Sequence, residues 1–204
     1  MSAPLQQLVQ TCRHAEEIRK SRFLAQAAPV TDAEQALAFV RAISNDAATH
    51  NCWAYRIGQD YRFNDDGEPG GTAGRPILQA IESQGMDRVA LVVTRWYGGI
   101  KLGAGGLARA YGGTAAECLR LAERMPIVAM ARLSVHCAFA ELALLKARLK
   151  EWQASIESEQ FDGDGVALQL QLPVARLTEA QSRIIDISRG RSRAFRLDQV
   201  PGGD

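Results

Sequence analysis

The 204-residue sequence lacks any apolar run long enough to cross a bilayer. Its longest apolar stretches, such as VALVVT and IVAMA, fall far short of the roughly 18 residues that span a membrane. The first residues also lack the basic head, apolar run and small-residue cleavage site of an export signal. We therefore expect a cytoplasmic protein that has no membrane partner.

The sequence is equally poor in motifs for metal and nucleophile chemistry. Its four cysteines, Cys12, Cys52, Cys118 and Cys137, never form Cys-x-x-Cys, which excludes a zinc ribbon and the zinc site of a deaminase. It contains no Gly-x-Ser-x-Gly elbow of the kind that positions a hydrolase nucleophile. We expect reduced thiols, no structural metal and no organic cofactor.

Charge of neither sign predominates, because the formal net charge is +1. This balance excludes the strongly basic composition of a dedicated DNA-binding protein, although it leaves local basic patches open. Hydrophobic residues make up 47% of the chain, which is typical of a folded globular protein and not of a disordered one.

The length favours two domains. Pro126 cannot extend the helix predicted before it, so we predict domains at residues 1–125 and 126–204. The second domain follows the order strand, helix, strand, strand, helix, strand, with the last strand near Phe195, and this is the order of a ferredoxin-like plait. The first domain alternates strands with three predicted helices, so the predicted fold class is α+β.

Two helices of the first domain carry local signals. The segment TDAEQALAFVRAIS opens with a capping box, in which the Thr31 hydroxyl accepts a backbone proton and Glu34 reaches back. The segment LARAYGGTAAECLRLAE is predicted to be helical, with Gly112 and Gly113 allowing another element to pack close.

The segment RWYGGIKLGAGGLARAYGG is rich in glycine, carries three cations and has no acidic residue. It lies between a predicted buried strand and a helix, where free backbone N–H groups and the helix dipole favour an anion. A Rossmann fingerprint and a Walker loop both fail, the latter because Ala104 stands where lysine is required. The alternative is that the glycines only let helix and sheet approach closely. The predicted phosphate or nucleic-acid ligands are Arg95, Tyr97, Gly98, Gly99, Lys101, Gly103, Gly105, Gly106 and Arg109.

A second glycine-rich segment, NDDGEPGGTAGRP, adds three carboxylates and Thr72, which is placed to cap the helix that follows. An EF-hand register fails, because Arg62 and Ala73 occupy ligand positions. The carboxylates either hold a Mg²⁺ that bridges a phosphate or serve as solvated turn and cap groups, and the second interpretation is favoured. The residues predicted to form a second loop of the site are Asp66, Gly67, Glu68, Gly71, Thr72 and Gly74.

Accessory positions fall in two places. In HNCWAYR, His50 and Cys52 project from one side of a strand, and Arg56 follows in the same strand. For His50, packing or hydrogen bonding is favoured over a nucleophile pair with Cys52. The second domain carries an excess of arginine around Arg189, Arg191 and Arg193, which serves either RNA backbone contact or a solvated helix face.

The segments KSRFLA, HNCWAYR, DDGEPGGTAGRP and VVTRWYGGIKLGAGGLARAY, followed by a plait-like tail, resemble the IMPACT/YigZ family in its bacterial two-domain form. The resemblance implies that the chain up to about Met125 adopts the α/β fold of a ribosomal-protein second domain, which also occurs in domain IV of elongation factor G. It implies that the tail is similar to domain V of that factor.

The resemblance also implies a link to translation and to nucleic acid. Eukaryotic IMPACT proteins restrain the kinase pathway that answers amino-acid starvation, and they carry an N-terminal interaction module ahead of the shared domain. Here KSRFLA lies almost at the start of the chain, so we do not expect the kinase-regulating role.

We therefore predict a non-catalytic, translation-associated protein that binds RNA phosphate or a ribosomal partner through the basic glycine-rich loop. One alternative is an enzyme on a small phosphorylated metabolite, with Asp66 or Glu68 as metal ligand or general base. The other is a protein–protein regulator that uses an aromatic patch of Trp53, Trp96 and Tyr97.

Overall fold

The computed structural model describes residues 4–197 and shows an α+β protein, which confirms the predicted fold class. The chain divides into two compact units, with the boundary between Ile127 and Val128. No helix within the described residues is both long and apolar enough to span a bilayer.

The first unit is built on a five-stranded antiparallel sheet with the order β2-β3-β6-β4-β5. A separate pair, β1 and β7, forms a small antiparallel sheet. The strands are β1 Gln6–Leu8, β2 Cys12–Ile18, β3 Ser21–Pro29, β4 His50–Ile57, β5 Asp60–Asn64, β6 Val89–Trp96 and β7 Arg124–Pro126. The helices are α1 Ala33–Ile43, α2 Gly74–Ser83 and α3 Ala104–Leu121.

Strand β6 is the centre of this sheet and is buried over nearly its whole length. The larger core cluster joins β3 and β6 to α2 and α3, whereas a smaller one joins Tyr55 and Ala90 to α1. Since helices cover both faces, the strand needs apolar residues at consecutive positions, and this is why VALVVT is a continuous apolar run. The predicted close packing on α3 is observed at Gly112, which faces Pro76, whereas a Cβ at Gly113 would meet none of the described residues within 4 Å.

Helix α1 is capped one residue later than the sequence predicted. The carboxylate of Asp32 accepts a hydrogen bond from the Gln35 amide at 2.9 Å, and the Gln35 side chain accepts one from the Thr31 amide at 3.2 Å. The predicted pairing of Thr31 with Glu34 is therefore wrong. A charged acceptor makes a stronger cap than a hydroxyl, and the hydrogen bonds that Asp32 accepts from the Gln35 amide and the Thr31 hydroxyl lower the pKa of its carboxyl group.

The second unit has the predicted strand and helix order around a four-stranded antiparallel sheet, β11-β8-β10-β9. Alternate residues of the central strands pack against the helices in one core cluster that includes Leu133, Leu168, Trp152 and Ile184. The elements are β8 Met130–Ala138, α4 Phe139–Leu149, β9 Ser155–Phe161, β10 Gly165–Pro173, α5 Leu177–Ile187 and β11 Phe195–Arg196.

Candidate functional site

The basic glycine-rich segment forms the loop between the end of β6 and the start of α3, as predicted. Two of its amides are anchored: Tyr97 N–H donates to Thr49 Oγ1 at 2.9 Å, and Gly98 N–H donates to Ser21 Oγ at 3.2 Å. Within residues 4–197, the amides of residues 99–106 have no protein acceptor. These amides form a continuous row of free donors, which begins in the loop and runs into the first turn of α3.

The glycines of this loop have different structural causes. A Cβ on Gly98 would lie 1.8 Å from the carbonyl oxygen of Lys20, so this glycine is required for close backbone approach. Gly99 and Gly103 have φ values of 86° and 73°, a region that glycine adopts without strain. Close packing thus explains Gly98, whereas the amides without an acceptor begin at Gly99.

Arg95 is not a free cation of this loop. The residue is 5% exposed, and its Nη1 donates to Glu68 Oε1 at 2.6 Å while its Nη2 lies 3.4 Å from Ser21 Oγ. The Tyr111 hydroxyl donates to the same Glu68 oxygen at 2.7 Å. The charge of Arg95 is therefore largely offset by Glu68, and its role as a phosphate ligand stays a prediction.

The two glycine-rich segments meet at a pocket of about 360 Å³. Glu68 is 8% exposed, and its Oε2 accepts no hydrogen bond from the residues that the structure describes. Tyr97 is 46% exposed at the margin. The pocket is lined by Glu68, Pro69, Arg95, Tyr97, Lys101, Leu102, Gly103, Ala104 and Leu107.

A second pocket, of about 260 Å³, also has Leu102 in its lining. It is bordered by Arg19 from the β2–β3 turn, and by Gly106 and Arg109 from α3. Arg19, Lys101 and Arg109 are exposed and have no ion-pair partner among residues 4–197. Sequence reasoning missed Arg19, because only the fold brings that turn to the start of α3.

The best-bonded carboxylate of the acidic segment, Asp65, accepts hydrogen bonds from backbone amides of the same segment. Asp65 accepts hydrogen bonds from the amides of Gly71, Ala73 and Gly74 at 2.8–3.0 Å, and so caps α2. The Thr72 hydroxyl instead donates to the carbonyl of Pro69, so its predicted role as the cap is wrong. A carboxylate can accept from three amides at once, whereas a hydroxyl cannot.

The remaining residues of this segment also have structural contacts. The Asp66 carboxylate accepts from the Asn51 amide, and Gly67 lies against the His50 ring. Within residues 4–197, no three His, Cys, Asp or Glu side chains are grouped to hold a metal ion.

Replacement of Asp65 by asparagine should lower the free energy of unfolding by about 2 kcal/mol at pH 7, because a charged cap of three amides is weakened. Burial alone would raise the pKa of Asp65, but the three amides together lower it. A lowered folded-state pKa contributes stability above the unfolded value near pH 4, and this contribution is lost as the pH falls through the folded pKa. Urea unfolding at pH 7 and pH 3 checks this prediction. The difference in free energy of unfolding between the wild type and Asp65→Asn should be smaller at pH 3 than at pH 7. An equal difference at the two pH values would contradict it.

His50 and Cys52 lie beside the acidic segment without forming a nucleophile pair. His50 Nδ1 donates to the Asp66 carbonyl at 2.7 Å, and Cys52 Sγ donates to the Asp65 carbonyl at 3.0 Å. Burial raises the pKa of the Cys52 thiol to about 12, so it is not a thiolate at neutral pH. The contact of His50 is a hydrogen bond, one of the two structural roles that the sequence favoured for it.

Arg56 lies away from the glycine-rich loop. Strand β4 pairs with β6 so that His50 lies opposite Arg95 at the loop end, while Arg56 lies opposite Val89 at the other end. The length of the strand therefore separates Arg56 from the glycine-rich loop, and its accessory role stays a prediction.

The arginines of the second unit are partly neutralised. Arg191 forms an ion pair with the buried Glu141, whose pKa it lowers. Arg189 and Arg193 are exposed and have no ion-pair partner among the described residues. Of the three predicted accessory arginines, Arg191 is therefore structural, and the other two keep an available charge.

Comparison with known proteins finds two family matches. The family described as the Impact N-terminal domain matches residues 19–119, which contain both glycine-rich segments. The family described as a domain of unknown function (DUF1949) matches residues 135–191.

Individual proteins extend these matches over most of the chain. The chain is 49% identical over 156 residues to the IMPACT family member in pol 5'region of Thermus thermophilus, covering 76% of this chain and 86% of that protein. It is 34% identical over 191 residues to the IMPACT family member YigZ of Escherichia coli K12, covering 90% and 93%. A crystal structure described as that of a hypothetical protein superposes with a TM-score of 0.70 at 31% identity, covering 98% of this chain and 100% of the other.

Proposed function

The chain belongs to the IMPACT family, and from this premise we propose that it is a non-catalytic, translation-associated protein that binds RNA phosphate at the start of α3. The single observation that carries the proposal is the row of amides at residues 99–106 without an acceptor among residues 4–197, next to unpaired cations. Backbone N–H groups at the N-terminus of an 18-residue helix favour a negatively charged ligand.

The electrostatics of the two pockets support an anionic ligand. Arg19, Lys101 and Arg109 contribute charge at their edges, and Glu68 is the only acidic residue among those described that lines either pocket. Because Arg95 is paired with Glu68 at 2.6 Å, that carboxylate adds little net negative charge. The surroundings of the free amides are therefore positive.

Unpaired RNA fits this surface better than duplex RNA does. Tyr97 is 46% exposed beside the pocket, with the Arg95 guanidinium 5.5 Å from its ring centroid, and we expect this partly exposed ring to stack on an unstacked base. A single strand can place a phosphate on the amides and a neighbouring base on this ring. Phosphate contacts would supply most of the affinity, and stacking would be tolerant of sequence.

The double variant Lys101→Ala, Arg109→Ala should weaken binding of single-stranded RNA, because two phosphate contacts are lost. The slope of log affinity against log salt should become less steep by about 1.4, since each contact on a single strand contributes about 0.7. Fluorescence anisotropy with labelled fragments of rRNA and tRNA, titrated at several salt concentrations, measures both quantities.

The matched control is Arg41→Ala, Arg56→Ala, which removes the same number of charges away from the loop. Arg41 lies on α1, and Arg56 lies at the opposite end of β4 from His50. This control should bind as the wild type does. Absence of saturable wild-type binding at low salt would overturn the proposal, as would equal loss in both double variants.

A second candidate, binding or conversion of a small phosphorylated metabolite, is favoured by the pocket that joins the two glycine-rich segments. Its volume of about 360 Å³ is at the small end of the range for small-molecule sites. The assigned general bases are both engaged, since Glu68 accepts from Arg95 and Asp66 accepts from the Asn51 amide. A thermal-shift screen of nucleotides and sugar phosphates tests this candidate, and one selective stabilisation of several degrees would favour it over RNA.

Two rings of the aromatic patch predicted for a protein–protein regulator contact neighbouring side chains in the structure. Trp53 stacks with Tyr55 in the cluster beneath α1, and Arg22 covers the Trp96 ring at 4.4 Å from its centroid. Tyr97 instead borders the pocket near α3. Two of the three rings are therefore covered in part by neighbouring side chains, which favours the RNA proposal over this alternative.

A further inference from the structure

Two cysteines that lie far apart in sequence meet in the first unit. Cys12 on β2 and Cys118 on α3 are separated by 106 positions, and their Sγ atoms lie 3.6 Å apart. Both are free thiols. Among the described residues, no other two cysteine sulfurs are in contact, so this pair has a chemistry that Cys52 and Cys137 lack.

The environments of the two thiols differ in a way that assigns their roles. Cys12 is partly exposed, whereas Cys118 is 1% exposed. A hydrogen bond from the Cys118 thiol lowers the pKa of Cys12 against the opposing effect of burial, and the Ala27 amide adds to the lowering. The same contact with Cys12, together with burial, raises the pKa of Cys118. Cys12 is therefore the more accessible and the more acidic of the two thiols.

We propose that Cys12 and Cys118 form an oxidation site that reacts with hydrogen peroxide and closes to an intramolecular disulfide. The Cys12 thiolate attacks one peroxide oxygen, the O–O bond breaks, and the product is Cys12 sulfenic acid plus hydroxide, which takes a proton to become water. The Cys118 sulfur then attacks the Cys12 sulfur, forms the S–S bond and releases a second water with its own proton. Two thiols are oxidised and one peroxide is reduced.

The geometry permits this reaction within one folded unit. A disulfide requires an S–S distance near 2.05 Å, so the two sulfurs must approach by about 1.5 Å. Strand β2 is at the edge of the sheet, where its backbone pairs with β3 alone, and the Thr114 hydroxyl of α3 donates to Glu16 of β2 at 2.6 Å, so this strand and this helix are already held side by side. The bond would tie this edge strand to α3, whose first turn carries the free amides.

The test uses the full-length reduced protein treated with hydrogen peroxide, quenched with catalase, denatured and alkylated with a maleimide. We expect the titratable thiols to fall by two per chain from the four in the sequence. The chain should remain a monomer on a non-reducing gel, and peptide mapping should find Cys12 joined to Cys118. A dithiol reductant should restore all four thiols. Oxidation should raise Tm, because the cross-link closes a long loop.

Variants separate the first step from the second. In Cys118→Ser, Cys12 should accumulate as a sulfenic acid that dimedone traps, while Cys137→Ser is the matched control and should still form the disulfide. If Cys118→Ser does not fold, Cys12→Ser decides, since its three remaining thiols should stay reduced at the same peroxide dose. Retention of all four thiols in the wild type would overturn the proposal, as would oxidation spread over Cys52 and Cys137 or a cross-link between chains.

Discussion

Replacement of Arg95 by methionine is expected to lower the free energy of unfolding by about 3–5 kcal/mol, because it leaves the buried Glu68 carboxylate without its counter-charge. Arg95 and Glu68 are both buried and are joined at 2.6 Å, and Tyr111 donates to the same carboxylate oxygen. One hydroxyl cannot replace the charge of a guanidinium. Urea unfolding of the full chain, followed by circular dichroism, gives the loss directly.

The double variant Glu68→Leu, Arg95→Met distinguishes a buried ion pair from simple loss of packing. When both charges are removed together, no unpaired charge remains, and such replacements are often close to neutral. The double variant should therefore be more stable than Arg95→Met alone. If Arg95→Met unfolds within about 0.5 kcal/mol of the wild type, as ordinary surface substitutions do, the assignment of Arg95 as the partner of Glu68 is wrong.

Replacement of Gly98 by alanine should lower the free energy of unfolding by about 3 kcal/mol, the upper end of what overpacking usually causes. The added Cβ would lie 1.8 Å from the Lys20 carbonyl oxygen and 2.6 Å from the Ser21 nitrogen. Both neighbours are backbone atoms, which cannot rotate away. The β2–β3 turn must therefore shift, and the hydrogen bond from Gly98 to Ser21 Oγ would be lost. Denaturant unfolding measures the change.

The matched control is Gly113→Ala, at a helical position where none of the described residues comes within 4 Å of the new Cβ. Alanine has a higher helix propensity than glycine, so this variant should gain about 0.5–1 kcal/mol. Both substitutions replace glycine by alanine, but the predicted changes in the free energy of unfolding have opposite signs. A loss of the same size in both would show that the contact with Lys20 is not the cause.

The elements and the family could be predicted from the sequence because their signals are local. Alternation and helical periodicity give the strand and helix order of the second unit, and the glycine-rich motifs carry the resemblance that the comparisons confirm. The position of the basic loop between β6 and α3 follows from the same pattern. Each of these inferences uses residues that are neighbours in the chain.

The partners of the site residues could not be predicted, because they are set by the fold. Arg95 meets Glu68 only when β6 lies beside the acidic segment, a separation of 27 residues. Cys12 and Cys118 meet over 106 residues. Asp65, and not Thr72, caps α2. Asp65 precedes the helix by several residues, and only the turn of the chain between them brings its carboxylate to the first amides of the helix. Charge and burial of a side chain depend on such contacts, so the roles of Arg95 and Glu68 could not be assigned from sequence.

The position of β6 in the sheet has a consequence for the synthesis of the chain. In the order β2-β3-β6-β4-β5, the central strand is the last of the five to be made, and β3 and β4 both pair with it. While the chain emerges from the ribosome, these two earlier strands each present an unpaired edge until residues 89–96 arrive. Such non-local pairing raises contact order and slows folding, so the sheet of this unit cannot close before its central strand has been made.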